Sequence, residues 1–264
     1  MKKLTSLTNP LVKDLVRLQR ESSQRRERGL FVVESERDLR RAIDAGFRVR
    51  QLFVAKPLLD VALSEELARG GTEVVEITDA ILHKAAYREH PEGFIAVLES
   101  RVTPLAELSV DTGPIIVCSG LEKPGNIGAI LRTADAAGAA AMLIDQPEAD
   151  VFNPNVIRAS TGAVFAVPIV SEAPEVLLAW LRKHQVRIIA ATPEAAVEHT
   201  AADLTGRCAL VLGAEAQGLS EFWKKAAEVN VVVPMRGRIV ASLNVSVTAA
   251  VLMYEALRQR ELKR

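Results

Sequence analysis

Three short segments of this chain combine glycine with polar side chains that can bind a ligand or orient a reacting group. They span residues 123–135, 212–219 and 242–246, and each follows an apolar run typical of a strand. Loops at the carboxyl ends of strands form the ligand sites of α/β sheets. The three segments therefore predict one composite site, whose polar members would be Asn126, Arg132, Glu215, Ser242 and Asn244.

Each of these residues alone also has an ordinary structural explanation. Asn126, Ser242 or Asn244 would suit the cap of a helix. Arg132 could pair with an acid one turn further along its helix, and Glu215 could be a solvated surface acid. The second segment lacks the Lys-Ser/Thr ending of a nucleotide-phosphate loop and the Gly-x-Gly-x-x-Gly spacing of a dinucleotide fold. A nicotinamide oxidoreductase is therefore disfavoured, and only the combination of segments indicates a site.

The composition is that of a folded protein with no overall positive charge. Of 264 residues, 49% are apolar, and 33 Lys and Arg balance 33 Asp and Glu. No apolar run reaches the ~18–20 residues that span a bilayer, and the start lacks the apolar core of a signal peptide. We therefore expect a cytoplasmic protein without a membrane partner. The two cysteines do not indicate disulfides, and the four histidines lack ligand spacing, so no metal is expected.

Alternating strand and helix patterns divide the chain into two α/β domains, 1–98 and 114–264, with 99–113 as the linker. The strands of the second domain are near-continuous apolar runs, which indicates a mainly parallel sheet with helices on both faces. They are expected at 115–118, 141–144, 164–170, 187–191, 209–212 and 230–233. A final helix over 244–260 carries an apolar stripe that consists of Val247, Ala250, Val251, Tyr254 and Leu257.

Together, the three segments resemble the motifs of the SpoU (TrmH-type) RNA ribose 2′-O-methyltransferases, in the family's order and at about its spacing. The matching residues are Asn126-x-Gly128-x-x-x-Arg132-x-Ala134-Asp135, Gly213-x-Glu215-x-x-Gly218-Leu219 and Ser242-Leu243-Asn244-Val245-Ser246. Residues 1–98 are similar to the family's N-terminal RNA-binding domain, which itself is similar to certain ribosomal proteins. Two departures stand out: Ser35 takes the place of a glycine after Glu34, and the loop between Pro234 and Ser242 is one residue longer than usual.

The resemblance implies a transferase that moves a methyl group from S-adenosylmethionine to a ribose 2′-hydroxyl of large-subunit ribosomal RNA. It also implies a deep trefoil knot in the second domain. Arg132 would grip the target phosphate and 2′-oxygen, since a guanidinium is an awkward base, and Asn126, Glu215, Ser242 and Asn244 would orient it and the ribose. The residues expected to enclose the cofactor are Leu212, Gly213, Gly218, Val233, Met235 and Leu243.

By the same resemblance, RNA would be held electrostatically and the protein would be a homodimer whose subunits share the active site. Residues 1–28 carry eight Lys or Arg against three acids. The expected RNA contacts are Arg25, Arg26, Arg28, Arg158, Arg236 and Arg238. The first three could equally form a solvated charged face, and the stripe on the final helix would also suit a monomer's core. Three alternatives stay open: a transfer-RNA ribose methyltransferase, a resistance-type enzyme, and a non-catalytic RNA-binding or ribosome-assembly factor.

Overall fold

The computed structural model describes residues 2–55, 61–146, 149–215 and 217–263, so Ala216 of the second motif lies outside the described residues. The chain divides into two compact units. The N-terminal unit comprises residues 1–101 and 150–165, and the C-terminal unit comprises residues 102–149 and 166–264. The first boundary falls inside the predicted linker, whereas the grouping of 150–165 with the N-terminal unit differs from the predicted division.

Helices and strands alternate through most of the chain. The helices are α1 (Pro10–Arg20), α2 (Ser22–Arg28), α3 (Glu36–Asp44), α4 (Val61–Arg69), α5 (Asp79–Ala85), α6 (Pro124–Ala136), α7 (Pro154–Ser160), α8 (Pro174–Lys183), α9 (Glu221–Ala226) and α10 (Val245–Leu262). The strands are β1 (Lys2–Leu4), β2 (Leu30–Val33), β3 (Val49–Val54), β4 (Glu73–Ile77), β5 (Phe94–Glu99), β6 (Ile115–Cys118), β7 (Ala141–Ile144), β8 (Ile169–Ser171), β9 (Arg187–Ala191), β10 (Val197–Glu198), β11 (Cys208–Leu212) and β12 (Val229–Val232).

The N-terminal unit is built on a mixed sheet with the strand order β1-β4-β3-β5-β2, in which β5 runs antiparallel to both of its neighbours. Helix α1 begins at Pro10 because Asn9 accepts a hydrogen bond from the Leu11 amide at 3.0 Å, and proline tolerates the first turn. Its apolar face buries Leu15 and Leu18 in the core of this unit.

Segment 150–165 belongs to the N-terminal unit because aromatic rings and an ion pair hold it there. The Phe152 ring stacks on Phe31 at a centroid distance of 4.4 Å, and Phe165 stacks on the same ring at 5.9 Å. This packing explains why the expected strand over 164–170 is wrong in its first half. Residues 163–165 form a buried 3₁₀ turn, and strand β8 begins only after Pro168, which has no amide hydrogen for a ladder.

The structure corrects the assignment of Arg25 as an RNA contact. Its side chain is only 4% exposed. The guanidinium donates to the Asp150 carboxylate, with the nitrogen Nε at 3.0 Å from Oδ2, and also to the carbonyl oxygens of Leu18 and Gln19. A buried arginine with these partners is a structural residue that joins α2, the end of α1 and segment 150–165.

Ser35, the first departure from the family pattern, has a clear local role. Its backbone is extended, with φ −123°, so this position does not require glycine. The hydroxyl oxygen accepts a hydrogen bond from the Asp38 amide at 3.3 Å and thereby caps helix α3. The serine therefore replaces a flexible residue with a helix cap.

In the C-terminal unit, the described strands form a parallel sheet with the order β10-β12-β9-β11-β6-β7-β8, which confirms the predicted parallel architecture. Strands β6, β7 and β11 are buried along their whole length, as near-continuous apolar runs require. Cys118 and Cys208 are free and buried in them, and burial raises the pKa of both thiols, so each packs as a small apolar side chain.

Helix α10 is apolar around most of its circumference. Its buried face consists of the apolar Val245, Ala249, Leu252, Met253 and Ala256 together with Glu255. The stripe expected from the sequence is a different one: Val247 and Tyr254 are exposed, and Ala250, Val251 and Leu257 are only partly buried. Across the residues that the structure describes, no helix is long and apolar enough to cross a membrane.

Candidate active site

A cavity of about 360 Å³ opens at the carboxyl ends of β9, β11 and β12 in the C-terminal unit. Its walls come from the end of β9, the second motif and the segment between β12 and α10. All six residues that the sequence assigned to a cofactor pocket line it, namely Leu212, Gly213, Gly218, Val233, Met235 and Leu243. The sheet therefore brings two of the three motifs together around one space, as expected for strand-end loops.

The glycines of the second motif are required by the shape of its loop. A Cβ on Gly213 would lie 2.4 Å from the backbone of Gly218 and Leu219, which no side chain can tolerate. Gly218 has φ +70°, a left-handed conformation that costs other residues energy. Its amide donates to the carbonyl of Ala214 at 2.9 Å and closes the loop tightly. This closure positions Glu215 at the edge of the cavity.

Glu215 is the centre of a polar cluster that all three motifs build. Its carboxylate accepts a hydrogen bond from the side-chain amide of Asn126 at 3.0 Å, and further ones from the amide of Asn244 and the ammonium of Lys123. The amide of Asn244 also lies 3.3 Å from the Asn126 side-chain oxygen. The hydrogen bond donated by Lys123 is the largest cause that lowers the pKa of Glu215, and the one donated by Asn126 is the next. The carboxylate is therefore ionised at neutral pH.

Asn244 combines the structural and the functional explanation that the sequence left open. Its side-chain oxygen caps helix α10 by accepting from the Ser246 amide at 2.9 Å and the Ser246 hydroxyl at 2.6 Å. Its side-chain nitrogen faces the other way and donates to Glu215. The helix start therefore fixes the orientation of the amide that holds the carboxylate.

The loop that precedes α6 is anchored by Asp145, which the sequence interpretation did not single out. One carboxylate oxygen accepts from the Gly120 amide at 3.0 Å, and the other accepts from the indole nitrogen of buried Trp223 at 2.8 Å. Asp145 directly follows β7, so its position at a strand end was the one available signal. It holds the segment from which Lys123 and Asn126 project.

Arg132 lies apart from this cluster. It is exposed on α6, and among the described residues it has no hydrogen bond or ion pair. Ser242 lines the cavity but is likewise without a side-chain hydrogen bond to any described residue. The structure thus joins Asn126, Glu215 and Asn244 directly, places Ser242 beside them, and leaves Arg132 on the surface.

The expected RNA contacts other than Arg25 are exposed arginines. Arg26 and Arg28 lie on α2, and Arg28 forms a long ion pair with Asp14 at 3.7 Å. Arg158 lies on α7, in the N-terminal unit rather than in the unit that holds the cavity. Arg236 and Arg238 lie in the longer loop before α10, where Arg236 approaches Glu198 at 3.7 Å.

Several lining residues were missed because their types carry no chemical signal. They are Ala191, Thr192 and Pro193 at and after the end of β9, and Val231, Val232 and Thr248 elsewhere on the wall. Lys123 was part of the first motif but received no role. In the part of the chain that the structure describes, no group of three or more His, Cys, Asp or Glu could hold a metal ion.

Two known protein families match this chain. Residues 113–254 match the SpoU rRNA Methylase family, and residues 9–96 match an MRM3-like substrate binding domain. The 23S rRNA (uridine(2479)-2′-O)-methyltransferase of Streptomyces viridochromogenes is 30% identical over 90% of this chain and 86% of its own. The 23S rRNA (guanosine-2′-O-)-methyltransferase of Haemophilus ducreyi is 31% identical over 81% of this chain and 91% of its own.

The fold is likewise similar to a solved structure with a bound ligand. The AdoMet-bound rRNA methyltransferase from Sinorhizobium meliloti superposes with a TM-score of 0.88. It shares 29% sequence identity with this chain, and the alignment covers 97% of both chains.

Proposed function

Because this chain belongs to the SpoU rRNA methylase family, we propose that it transfers a methyl group from S-adenosylmethionine to a ribose 2′-hydroxyl of large-subunit ribosomal RNA. The observation that carries the proposal is the Glu215 cluster, which all three motifs assemble at the edge of a cavity. One relative is named for uridine and another for guanosine. The proposal therefore names the ribose and not the base.

The cavity fits the methyl donor on chemical grounds. Its volume of about 360 Å³ lies in the range of small-molecule sites. Leu212, Val233, Met235 and Leu243 supply apolar walls for an adenine ring, and the strand-end backbone supplies hydrogen-bonding groups. When bound, S-adenosylmethionine supplies a methyl group on a positively charged sulfur, which is already a good leaving group. What remains for the protein is to position the hydroxyl and to remove its proton.

The residues of the cluster can do this positioning. Asn126 and Asn244 hold the Glu215 carboxylate from two sides, so its free lone pairs have a fixed direction. We assign Glu215 to accept a hydrogen bond from the ribose 2′-hydroxyl and to take its proton as the oxygen gains the methyl group, and Ser242 to contact the same ribose. Arg132 grips the target phosphate and the 2′-oxygen, where its positive charge lowers the pKa of the hydroxyl. Its exposure and the absence of a partner among the described residues support an intermolecular role.

A homodimer supplies that intermolecular contact. The outer stripe of α10 exposes Val247 and Tyr254, and Ile239 in the loop before α10 is 97% exposed. Such a surface is costly in a monomer, and α10 packs on α6, which carries Arg132. We propose that two copies associate through this stripe and that Arg132 completes the site of the other copy. Tyr254→Asp should convert the dimer to monomer in light scattering and abolish transfer, whereas exposed Val176→Asp on α8 should do neither.

The remaining parts of the proposal are suggested by the resemblance to the family. The N-terminal unit binds the RNA substrate, and its Arg26, Arg28 and Arg158 contact the phosphate backbone of the RNA. Arg236 and Arg238 contact the RNA beside the cavity. The segment from β11 to α10 forms the deep trefoil knot of the family. The protein acts in the cytoplasm, where ribosomal RNA is its substrate. The match of residues 9–96 to a substrate-binding domain supports the first of these assignments.

The experiment that tests the function measures transfer of radiolabelled methyl groups to ribosomal RNA and to transfer RNA from a strain that lacks this gene. We expect label in ribosomal RNA, recovered as an alkali-resistant dinucleotide, and its loss in Arg132→Ala. Label in transfer RNA alone would contradict the substrate but keep the chemistry. No label in either RNA, with no binding of S-adenosylmethionine in calorimetry, would establish the non-catalytic alternative.

A further inference from the structure

Among the described residues, Lys123 is the one cation in contact with the Glu215 carboxylate. Its ammonium contacts the Glu215 carboxylate, whereas Arg132 makes no contact with that carboxylate. The backbone of Lys123 sits at the cap position of α6, and its side chain makes no capping hydrogen bond. It is 73% exposed, compared with 25% for Glu215. An ion pair this accessible to water contributes little, so Lys123 can exchange its partner at small cost.

A second, smaller recess lies directly beside Lys123. It has a volume of about 100 Å³ and shares Ala214 and Glu215 with the larger cavity. That is room for several water molecules, each of which needs only about 10–15 Å³ of such space. Its other polar walls are Asn126, Gln217 and exposed Glu122.

The charges around this recess are unusual for a site that an RNA must approach. Two carboxylates, Glu122 and Glu215, face one ammonium, that of Lys123, among the residues that line it. An RNA strand carries a negative charge on every phosphate, so the two acids repel it. A phosphate can enter the recess only if a cation lies between it and the acids, and the side chain placed to do so is Lys123.

We propose that Lys123 is a substrate-binding residue that leaves Glu215 for a phosphate of the target nucleotide when RNA enters the smaller recess. Glu215 then stays fixed by Asn126 and Asn244 and is free to accept the ribose hydroxyl. The exchange couples the arrival of the correct strand to exposure of the carboxylate. This inference rests on the proposed function and adds to it a second cation, besides Arg132, that binds a phosphate of the target nucleotide.

The test compares Lys123→Ala and Lys123→Arg with the matched control Lys183→Ala, which removes an exposed lysine from α8 of the same unit. Ribosomal RNA from a strain lacking this gene is the probe, and affinity is measured by filter binding at a series of salt concentrations. A lost phosphate contact lowers the slope of log affinity against log salt by about 0.7–0.9. We expect this change in Lys123→Ala, with an RNA KM raised about tenfold and an unchanged Kd for S-adenosylmethionine in calorimetry. Lys123→Arg should restore the slope.

A companion variant uses the opposing charge. Glu122→Gln removes one repulsive acid and should lower the RNA KM without a change in kcat. An unchanged salt slope in Lys123→Ala, or a loss confined to kcat, would overturn the proposal and reduce Lys123 to a residue that only orients Glu215. Failure of the wild-type protein to methylate the RNA would instead contradict the proposed function itself, and with it this inference.

Discussion

Two glutamates of this molecule each gather a set of hydrogen-bond donors, yet their surroundings differ in every other respect. In the N-terminal unit, buried Glu34 accepts from the backbone amides of Tyr87 at 2.6 Å and Arg88 at 3.0 Å, and from the side chain of Gln19. In the C-terminal unit, Glu215 accepts from side chains alone among the described residues, at the edge of a cavity. Burial raises the pKa of Glu34, whereas the pKa of Glu215 is lowered by the hydrogen bonds that Glu215 accepts.

The difference separates a structural carboxylate from a reactive one. The backbone donors of Glu34 belong to the segment between α5 and β5, so the carboxylate fixes the path of the chain, at the cost of its own desolvation. Among the side-chain donors of Glu215, the exposed Lys123 can exchange its partner, and the carboxylate keeps access to a ligand. A count of hydrogen bonds would rank the two sites alike. Only the nature of the donors and the adjoining space distinguish them.

The largest expected effect follows from removing the reactive carboxylate. Glu215→Ala should lower kcat/KM for methyl transfer by about 10²–10³-fold, because the hydroxyl nucleophile loses its positioned acceptor. The melting temperature should change little, since the carboxylate is not part of the core. Transfer of radiolabelled methyl groups at saturating S-adenosylmethionine measures the effect.

The matched control is Glu221→Ala, which removes an exposed acid from α9 that pairs with Lys224 at 3.3 Å. It should retain wild-type transfer. If Glu215→Ala remained active to within a few-fold of this control, the Glu215 cluster would be structural in the same sense as Glu34. The two carboxylates would then not differ in function.

A second prediction contrasts two arginines of helix α2. Arg25→Ala leaves the partly buried Asp150 without its partner, and should destabilise the N-terminal unit by about 3 kcal/mol, at the low end for broken buried ion pairs. Arg28→Ala breaks only an exposed pair at 3.7 Å, and should cost less than about 0.5 kcal/mol. Native-state hydrogen exchange of the α1 amides in the full chain measures both values.

RNA binding should rank the same two variants in the opposite order. Arg28→Ala should weaken binding of ribosomal RNA in a salt-dependent way, whereas Arg25→Ala should leave it unchanged at temperatures where the variant is folded. A loss of RNA affinity in Arg25→Ala alone would mean that Arg25 contacts RNA, and would contradict its assignment as a structural residue.

The sequence was informative where one residue type had one plausible environment. Buried strands such as 115–118, 141–144 and 187–191 were predicted to the residue, because a short run of aliphatic residues between polar ones has few alternatives. The glycines and polar residues of the three motifs also pointed to one site, and their strand-end positions explain why they meet.

The remaining features depend on partners that lie far away in the chain. Arg25 and Arg28 look alike in sequence, and only Asp150, 125 residues further on, makes the first one structural. Val164 and Phe165 form part of an apolar run that resembles a strand, but the ring of Phe31 draws them into a turn of the other unit. The apolar stripe on α10 could be recognised from its helical period. Its exposure to solvent could not be predicted, because the opposite face of the helix is equally apolar.

The smallest predicted effect is the pH dependence that the two glutamates impose on stability. The pKa of Glu34 is raised above 4.5, so the native state holds this proton more tightly than the unfolded chain, and stability falls as pH rises from 4.5 through the raised pKa. The pKa of Glu215 is lowered, so its contribution is complete above 4.5 and is lost as pH falls through the lowered value. The two groups therefore act with opposite sign, on opposite sides of the same pH.

Glu34→Gln and Glu215→Gln separate these contributions. Glu34→Gln replaces an oxygen that accepts from a backbone amide with a donor group, and should lower the free energy of unfolding by about 1 kcal/mol near pH 7. The loss should be larger near pH 4.5, because burial disfavours the ionised carboxylate of the wild type at neutral pH. Glu215→Gln should match the wild type at low pH and fall behind it only as the pH rises past the lowered pKa. Thermal unfolding of the wild type and both variants across this range gives the two difference curves. Difference curves whose slopes against pH have the same sign would mean that the carboxylates share one kind of environment, and that the backbone donors of Glu34 outweigh its burial.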